Sequence, residues 1–283
     1  MKTQYKRLIV LCSVLVAVLV ATFVYYFQNL VYVAAIQLFE PNIRLELVSV
    51  PTEKVSLSEI ESDSRIIFDQ SLMLINTKYK IPVGTEFDVA EYKKSGVMMN
   101  RCMIQSYADL VEAVLRETGE TIYVSSHIRT REEQSELFFE SPEIATEPGA
   151  SEHETGLCLD IYVQYNAGDN FLKTDAGRFV NSKCHEYGFV IRYPIYGSSQ
   201  TGIRFETWHI RYVGKIHAKI IYANRLTLEE YIFSLKENVI YQADDFIITR
   251  QRPQDGYINV PQGYSQYEVS PDNTGCYIIT VYS

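Results

Sequence analysis

Tryptophan occurs once in this sequence, and histidine and cysteine five times each, across 283 residues. No two cysteines form a Cys-x-x-Cys pair, which excludes a zinc ribbon or a dithiol redox motif. Their spacing identifies no disulfide framework either. Cys12 falls in an apolar stretch, and Cys102, Cys158, Cys184 and Cys276 read as free buried thiols. Positive charge is in deficit, with 26 Lys plus Arg against 35 Asp plus Glu and a net charge of −9. A nucleic-acid partner therefore has no electrostatic support. No internal repeat, phosphate-binding glycine loop or Ser-His-Asp arrangement is present. Gly197-Ser198-Ser199 lacks the nucleophile-elbow pattern, so serine-type hydrolysis is excluded by motif.

What is present divides the chain into four stretches. Leu8–Tyr26 is uncharged and mostly apolar, long enough for a transmembrane helix, and follows Lys2, Lys6 and Arg7. The expectation is an uncleaved, single-pass anchor with a cytoplasmic N-terminus and an extracytoplasmic body. A cleaved signal peptide is the alternative, but the nearest small pair, Ala34-Ala35, lies well beyond the apolar run. The expected organisation is a stub and anchor over 1–27, a tether over 28–65 broken by Pro41 and Pro51, a main domain over 66–236, and a small β appendage over 237–283.

The chemistry concentrates in two segments, Ser151-Glu-His-Glu-Thr-Gly-Leu-Cys-Leu-Asp160 and Glu206-Thr-Trp-His209. His153, Asp160 and His209 are suitable donors for a three-ligand zinc site with a fourth position open to water. Glu206 is the spare carboxylate and a candidate general base. The bland alternative is a structural cluster of buried His and Asp. Leu157–Val163 alternates like a strand, which places Cys158 on the same face as Asp160. The residues around Glu206 also read as strand. An i, i+3 pair on a regular strand points to opposite faces, so the chain must turn or bulge between Glu206 and His209 if both serve one site. Trp208 is either core or a pocket wall. Helices are expected over Ser106–Thr118 (stopped by Gly119), Asp175–Tyr187, Lys215–Ala223 and Thr227–Lys236, and strands over Ser71–Asn76 and Thr121–Ser125.

Together the segments resemble the zinc D-Ala-D-Ala carboxypeptidases of the VanY type, with the pattern Ser-x-His-x-x-Gly-x-x-x-Asp followed by Glu-x-Trp-His. Ser151, His153, Gly156, Asp160, Glu206, Trp208 and His209 fill its positions. Ser126, Arg129 and Gln134 match a further motif, whereas His127 and Ile128 replace its usual Gly-Tyr. Gly188-Phe-Val-Ile-Arg-Tyr-Pro194 matches another. The resemblance covers roughly residues 70 to 235. It implies an α+β fold, a small mixed or antiparallel sheet with flanking helices around a zinc cleft. It also implies hydrolysis of a C-terminal D-Ala from a peptidoglycan stem peptide, with a possible part in glycopeptide resistance. Arg129 would stabilise negative charge on the substrate, and Ser151, Gln134 and Trp208 would line its binding site. The family has a small residue at position 158; Cys158 reads as a filler beside the metal in preference to a fourth ligand. An L,D-carboxypeptidase, a peptidoglycan endopeptidase and a non-catalytic wall-binding module remain open alternatives.

Overall fold

The computed structural model describes residues 2–282, without the side chains of residues 2–4, 7–8 and 24–26. It forms two compact units, Met1–Glu40 and Pro41–Ser283. The first is a helix, α1 (Lys2–Phe39). It bends by 81° between Ile9–Phe23 and Phe27–Phe39, and no single helix among the described residues is long and apolar enough to cross a membrane. The expected span over Leu8–Tyr26 begins and ends on residues whose side chains lie outside the described set. Leu11, Leu15 and Leu19 are exposed.

In chain order, the second unit begins with strands β1 (Glu46–Leu47), β2 (Thr52–Ser56), β3 (Ile66–Phe68), β4 (Val89–Glu91) and β5 (Met98–Asn100). Then come α2 (Ile104–Thr118), β6 (Ile122–Ser126), α3 (Arg131–Glu140), β7 (Cys158–Val163), α4 (Asp175–Lys183), β8 (Phe189–Tyr193), the short α5 (Ser198–Thr201) and β9 (Glu206–Tyr212). Helices α6 (Lys215–Ala223) and α7 (Leu228–Ser234) lead to β10 (Val239–Ala243), β11 (Phe246–Gln251), β12 (Tyr257–Pro261), β13 (Tyr267–Pro271) and β14 (Tyr277–Tyr282).

The sheet that matters for chemistry is antiparallel, in the order β6-β7-β9-β8. Leu159, Ile161 and Ile210 point into a core with Met103, Leu110, Val114, Phe171, Val180 and Phe189, which seats α2 and α4 on one face. Strand alternation then sends Cys158 and Asp160 of β7 to the other face. They pair with Arg211 and His209 of β9, so one face collects two histidine-compatible acceptors and an arginine. α2 ends as expected at Gly119, which adopts the left-handed conformation.

Two expectations do not survive. The residues from Ser71 to Asn76 are not a strand. They are a buried loop whose carbonyls are taken by side chains: Ser71 and Met73 accept from Arg211, and Leu74 accepts from Asn273. An apolar run signals burial, and side-chain donors here replace a strand partner. Nor is 28–65 a tether. Its first part continues α1 to Phe39. Its second part, with β3, enters sheets built mainly from the C-terminal residues: β1 and β3 flank a six-stranded sheet ordered β1-β10-β11-β14-β13-β3, and β2 pairs with β12. The C-terminal stretch is therefore not a free-standing appendage.

Candidate metal centre and pocket

His153 sits on a 3-10 turn over Glu152–Thr155 that ends at Gly156 in the left-handed conformation. A Cβ at Gly156 would lie 2.9 Å from the Asn100 backbone nitrogen, so side chain and conformation both select glycine. His153 Nδ1 lies 2.8 Å from the His127 carbonyl oxygen. A carbonyl only accepts, so Nδ1 carries the hydrogen and Nε2 is the free ligand atom. Nε2 lies 3.3 Å from Asp160 Oδ2, and His209 Nδ1 lies 3.0 Å from Asp160 Oδ1. Donors of a tetrahedral zinc at ~2.0–2.1 Å are about 3.3 Å apart. Among the described residues, Asp160 Oδ1 nevertheless makes no hydrogen bond and His209 Nε2 has no hydrogen-bond partner, though both are buried. Close approach without hydrogen-bond direction is what ligand atoms facing a shared cation show. The residues present fit zinc.

Electrostatics agree. Burial disfavours charge on His153, but Cys158 and Asp160 outweigh it and push its pKa up to about 9. His209 is raised well above its usual value against the same penalty, by Cys158, Asp160 and Glu152. Burial would raise Asp160, yet the two imidazoles hold it well below the usual carboxylate range. The cluster attracts positive charge, as a divalent-cation site must.

Cys158 is buried beside both imidazoles, and its Sγ forms a compact donor group with His153 and His209. Burial raises its pKa, but the histidines bring it down to about 7. Asp160 lines the pocket and Cys158 does not. A site with both as ligands would have four protein donors and no open position, whereas Asp160 as the third donor would leave one facing the cleft.

The pocket has a volume of about 340 Å³ and its lining includes Arg129, Gln134, Ser151, Trp208 and Glu206 as well as His153, Asp160 and His209. All eight sequence candidates thus meet in one cleft. The Glu206–His209 parity problem is solved by an irregularity. Ile191 pairs with Ile210, but Tyr193 pairs with Glu206, so β9 carries extra residues against β8. Glu206 Oε2 comes within 3.9 Å of His209 Nδ1. Burial raises the Glu206 pKa above the ordinary carboxylate value, with Asp160 adding to it and His209 opposing.

Arg129 precedes α3, whose first turn is fixed by a capping box between Thr130 and Glu133. Its backbone N–H donates to the His153 carbonyl at 3.1 Å. Its Nε is buried and has no hydrogen-bond partner among the described residues. Gln134 is buried and donates to Thr146 O at 2.7 Å, tying down the loop over 141–150 that walls the cleft. Trp208 does two things: it lines the cleft and packs on the core beneath.

Comparison with known proteins follows this geometry. The family described as VanY, D-alanyl-D-alanine carboxypeptidase, matches residues 96–215. A D-alanyl-D-alanine carboxypeptidase of Enterococcus faecium is 29% identical over 242 residues, 76% of each chain. The putative carboxypeptidase YodJ of Bacillus subtilis is 31% identical over 186 residues, 59% of this chain and 68% of that one. The chain belongs to the VanY carboxypeptidase family. A crystal structure of the vancomycin-resistance D,D-dipeptidase VanXYg, in complex with a D-Ala-D-Ala phosphinate analogue, superposes with a TM-score of 0.66. It is 25% identical and matches over 83% of this chain and all of that one.

Some residues of this VanY-family pocket were not picked out by sequence reasoning. Tyr193 packs on His209 with ring centroids 4.9 Å apart. Behind His209 lies a buried charge network: Glu152 Oε1 accepts from Arg192 Nε and Arg211 Nη1, each at 2.7 Å, and Arg192 also meets Glu229. Burial would raise the Glu152 pKa, but the two arginines hold it well below the carboxylate range. The signal was there. Glu152 lies inside the Ser-Glu-His motif and Arg192 inside Gly-Phe-x-x-Arg-Tyr-Pro, but neither had a stated task.

Proposed function

We propose that this chain is a zinc D-alanyl-D-alanine carboxypeptidase that removes the terminal D-Ala from peptidoglycan stem pentapeptides. The observation that carries this is the meeting of His153 Nε2, Asp160 and His209 Nδ1 in one cleft with Glu206 beside them. Those three side chains would hold the metal. Zinc, when bound, supplies a Lewis acid and a water of lowered pKa. Glu206 takes the proton of the attacking water and returns it to the leaving amine of D-Ala, a task suited to its raised pKa. Arg129 presents its guanidinium to the terminal carboxylate or the developing oxyanion, for which its unpartnered Nε is ready. Ser151 and Gln134 shape the wall, and Trp208 forms another part of it.

The VanXYg complex with a D-Ala-D-Ala analogue supports the choice of a stem ending in D-Ala. Removing that residue destroys the D-Ala-D-Ala ending, which is how the activity would contribute to glycopeptide resistance. The N-terminal unit is the membrane anchor in this reading, supported by its uncharged, exposed apolar run. The catalytic unit would then face its wall substrate outside the cell. Mass spectrometry of synthetic stems incubated with the zinc-loaded full-length chain tests the reaction. The expected result is loss of one D-Ala from the pentapeptide with the tetrapeptide untouched. Cleavage of the tetrapeptide instead would make it an L,D-enzyme, and no cleavage of either would sink the reading.

A further inference from the structure

We propose that Glu152 is the positioning residue for His209, the carboxylate that holds this imidazole in the tautomer the metal requires. The inference rests on the zinc reading above. His209 Nδ1 faces Asp160 at 3.0 Å, so it is the nitrogen that must be bare toward a metal. The ring hydrogen then belongs on Nε2. Nε2 is buried with no hydrogen-bond partner among the described residues, and Glu152 Oε2, 3.7 Å away, is equally buried and equally without one. A donor and an acceptor left unsatisfied in a sealed site are each costly, and closing the gap by less than about 1 Å satisfies both.

The surroundings aim Glu152 at that task. Both arginines bind the same oxygen, Oε1, which leaves Oε2 for the imidazole. Arg211 is itself fixed by the carbonyls of Ser71 and Met73 at 2.8 and 2.9 Å. Arg192 takes Glu229 on its far side through two bonds of 2.9 and 2.7 Å. The result is a line of alternating charge, Glu229, Arg192, Glu152, ending on His209. Such a carboxylate orients a ligating imidazole and strengthens it as a donor, and losing it typically weakens metal affinity by about 10- to 100-fold.

The test is zinc affinity of the full-length chain, measured by competition with a chromogenic chelator, for wild type, Glu152→Gln and Glu229→Gln. Glu229→Gln removes a carboxylate from the same network at a position that does not face His209. Glu152→Gln is expected to weaken zinc by about 10- to 100-fold and Glu229→Gln by less than about threefold. Equal affinity of Glu152→Gln and wild type overturns the inference, as does an equal loss in both variants. Should Glu152→Gln fail to fold, ¹H–¹⁵N spectra of the zinc-loaded wild type decide. A slowly exchanging, downfield Nε2 proton on His209 supports the proposal, and a bare or rapidly exchanging Nε2 overturns it. A wild type that binds no zinc would sink the proposed function together with this inference, whereas equal affinities sink the inference alone.

Discussion

The four-stranded and six-stranded sheets both bury charge, but around the four-stranded sheet part of it is left without partners. In the six-stranded sheet, Asp272 is sealed and saturated. Its Oδ2 takes Arg250 Nε at 2.6 Å, and its Oδ1 takes the Thr274 and Cys276 backbone N–H groups at 2.7 and 3.1 Å. Around the four-stranded sheet, His209 Nε2, Asp160 Oδ1, Glu152 Oε2, Arg129 Nε and Gln134 Oε1 are all buried and all lack a hydrogen-bond partner among the described residues. A saturated charge contributes to one fixed structure. A set of unsaturated ones costs stability and is tolerated where a ligand completes it. The difference marks which sheet carries chemistry and which carries architecture.

Four experiments break or sharpen that contrast. The largest effect is expected from metal removal: a chelator should abolish turnover and zinc should restore it, measured as D-Ala release. Full activity after chelation and dialysis would erase the distinction. Next is Glu206→Ala, which should keep zinc while turnover falls by at least ~10²-fold. His209→Ala should instead lose the metal, so zinc content and kcat together separate a base from a ligand.

On the architectural side, Asp272→Ala takes the close carboxylate from buried Arg250 and leaves it Glu237 Oε1 at 3.8 Å with Leu235 and Thr274 as hydrogen-bond acceptors. It should lower unfolding stability by about 3–5 kcal/mol in urea titrations while kcat per folded molecule stays within about threefold. A matching collapse of kcat in fully folded protein would show that the two sheets are not separable. The smallest effect concerns His217, which joins α6 to β14 through Thr280 Oγ1 at 3.0 Å and bonds Tyr231 Oη at 2.5 Å. Burial lowers its pKa to about 3 from 6.5. The unfolded chain therefore binds the proton first, and stability is full above pH ~6.5 and declines as pH falls toward 3. Between pH 7 and 5 this amounts to about 2 kcal/mol, and His217→Gln should flatten the urea-midpoint dependence by that much.

Legibility followed contact range. Helix α2 could be read because Tyr107, Leu110 and Val114 repeat at helical spacing before Gly119, all within one segment. The site candidates could be named because few residue types suit the chemistry and three short motifs hold them, the third carrying Arg129 and Gln134. The need for an irregularity between Glu206 and His209 was also readable, since strand parity forbids the pair otherwise, and the shifted register of β8 and β9 supplies it. The run from Ser71 to Asn76 misled because apolar content reports burial without naming the partner. Arg211 and Asn273, far away in sequence, are the donors that settle it.

The sequence alone thus determined the local periods, the helix stop at Gly119 and the candidate donors, since each depends on neighbours along the chain. Tertiary structure alone decided that residues 46–68 belong with 239–282, because β pairing is a choice among distant strands and carries no local code. It alone also set Glu152 behind His209, because burial and the two arginines, 40 and 59 positions away, fix where that carboxylate points.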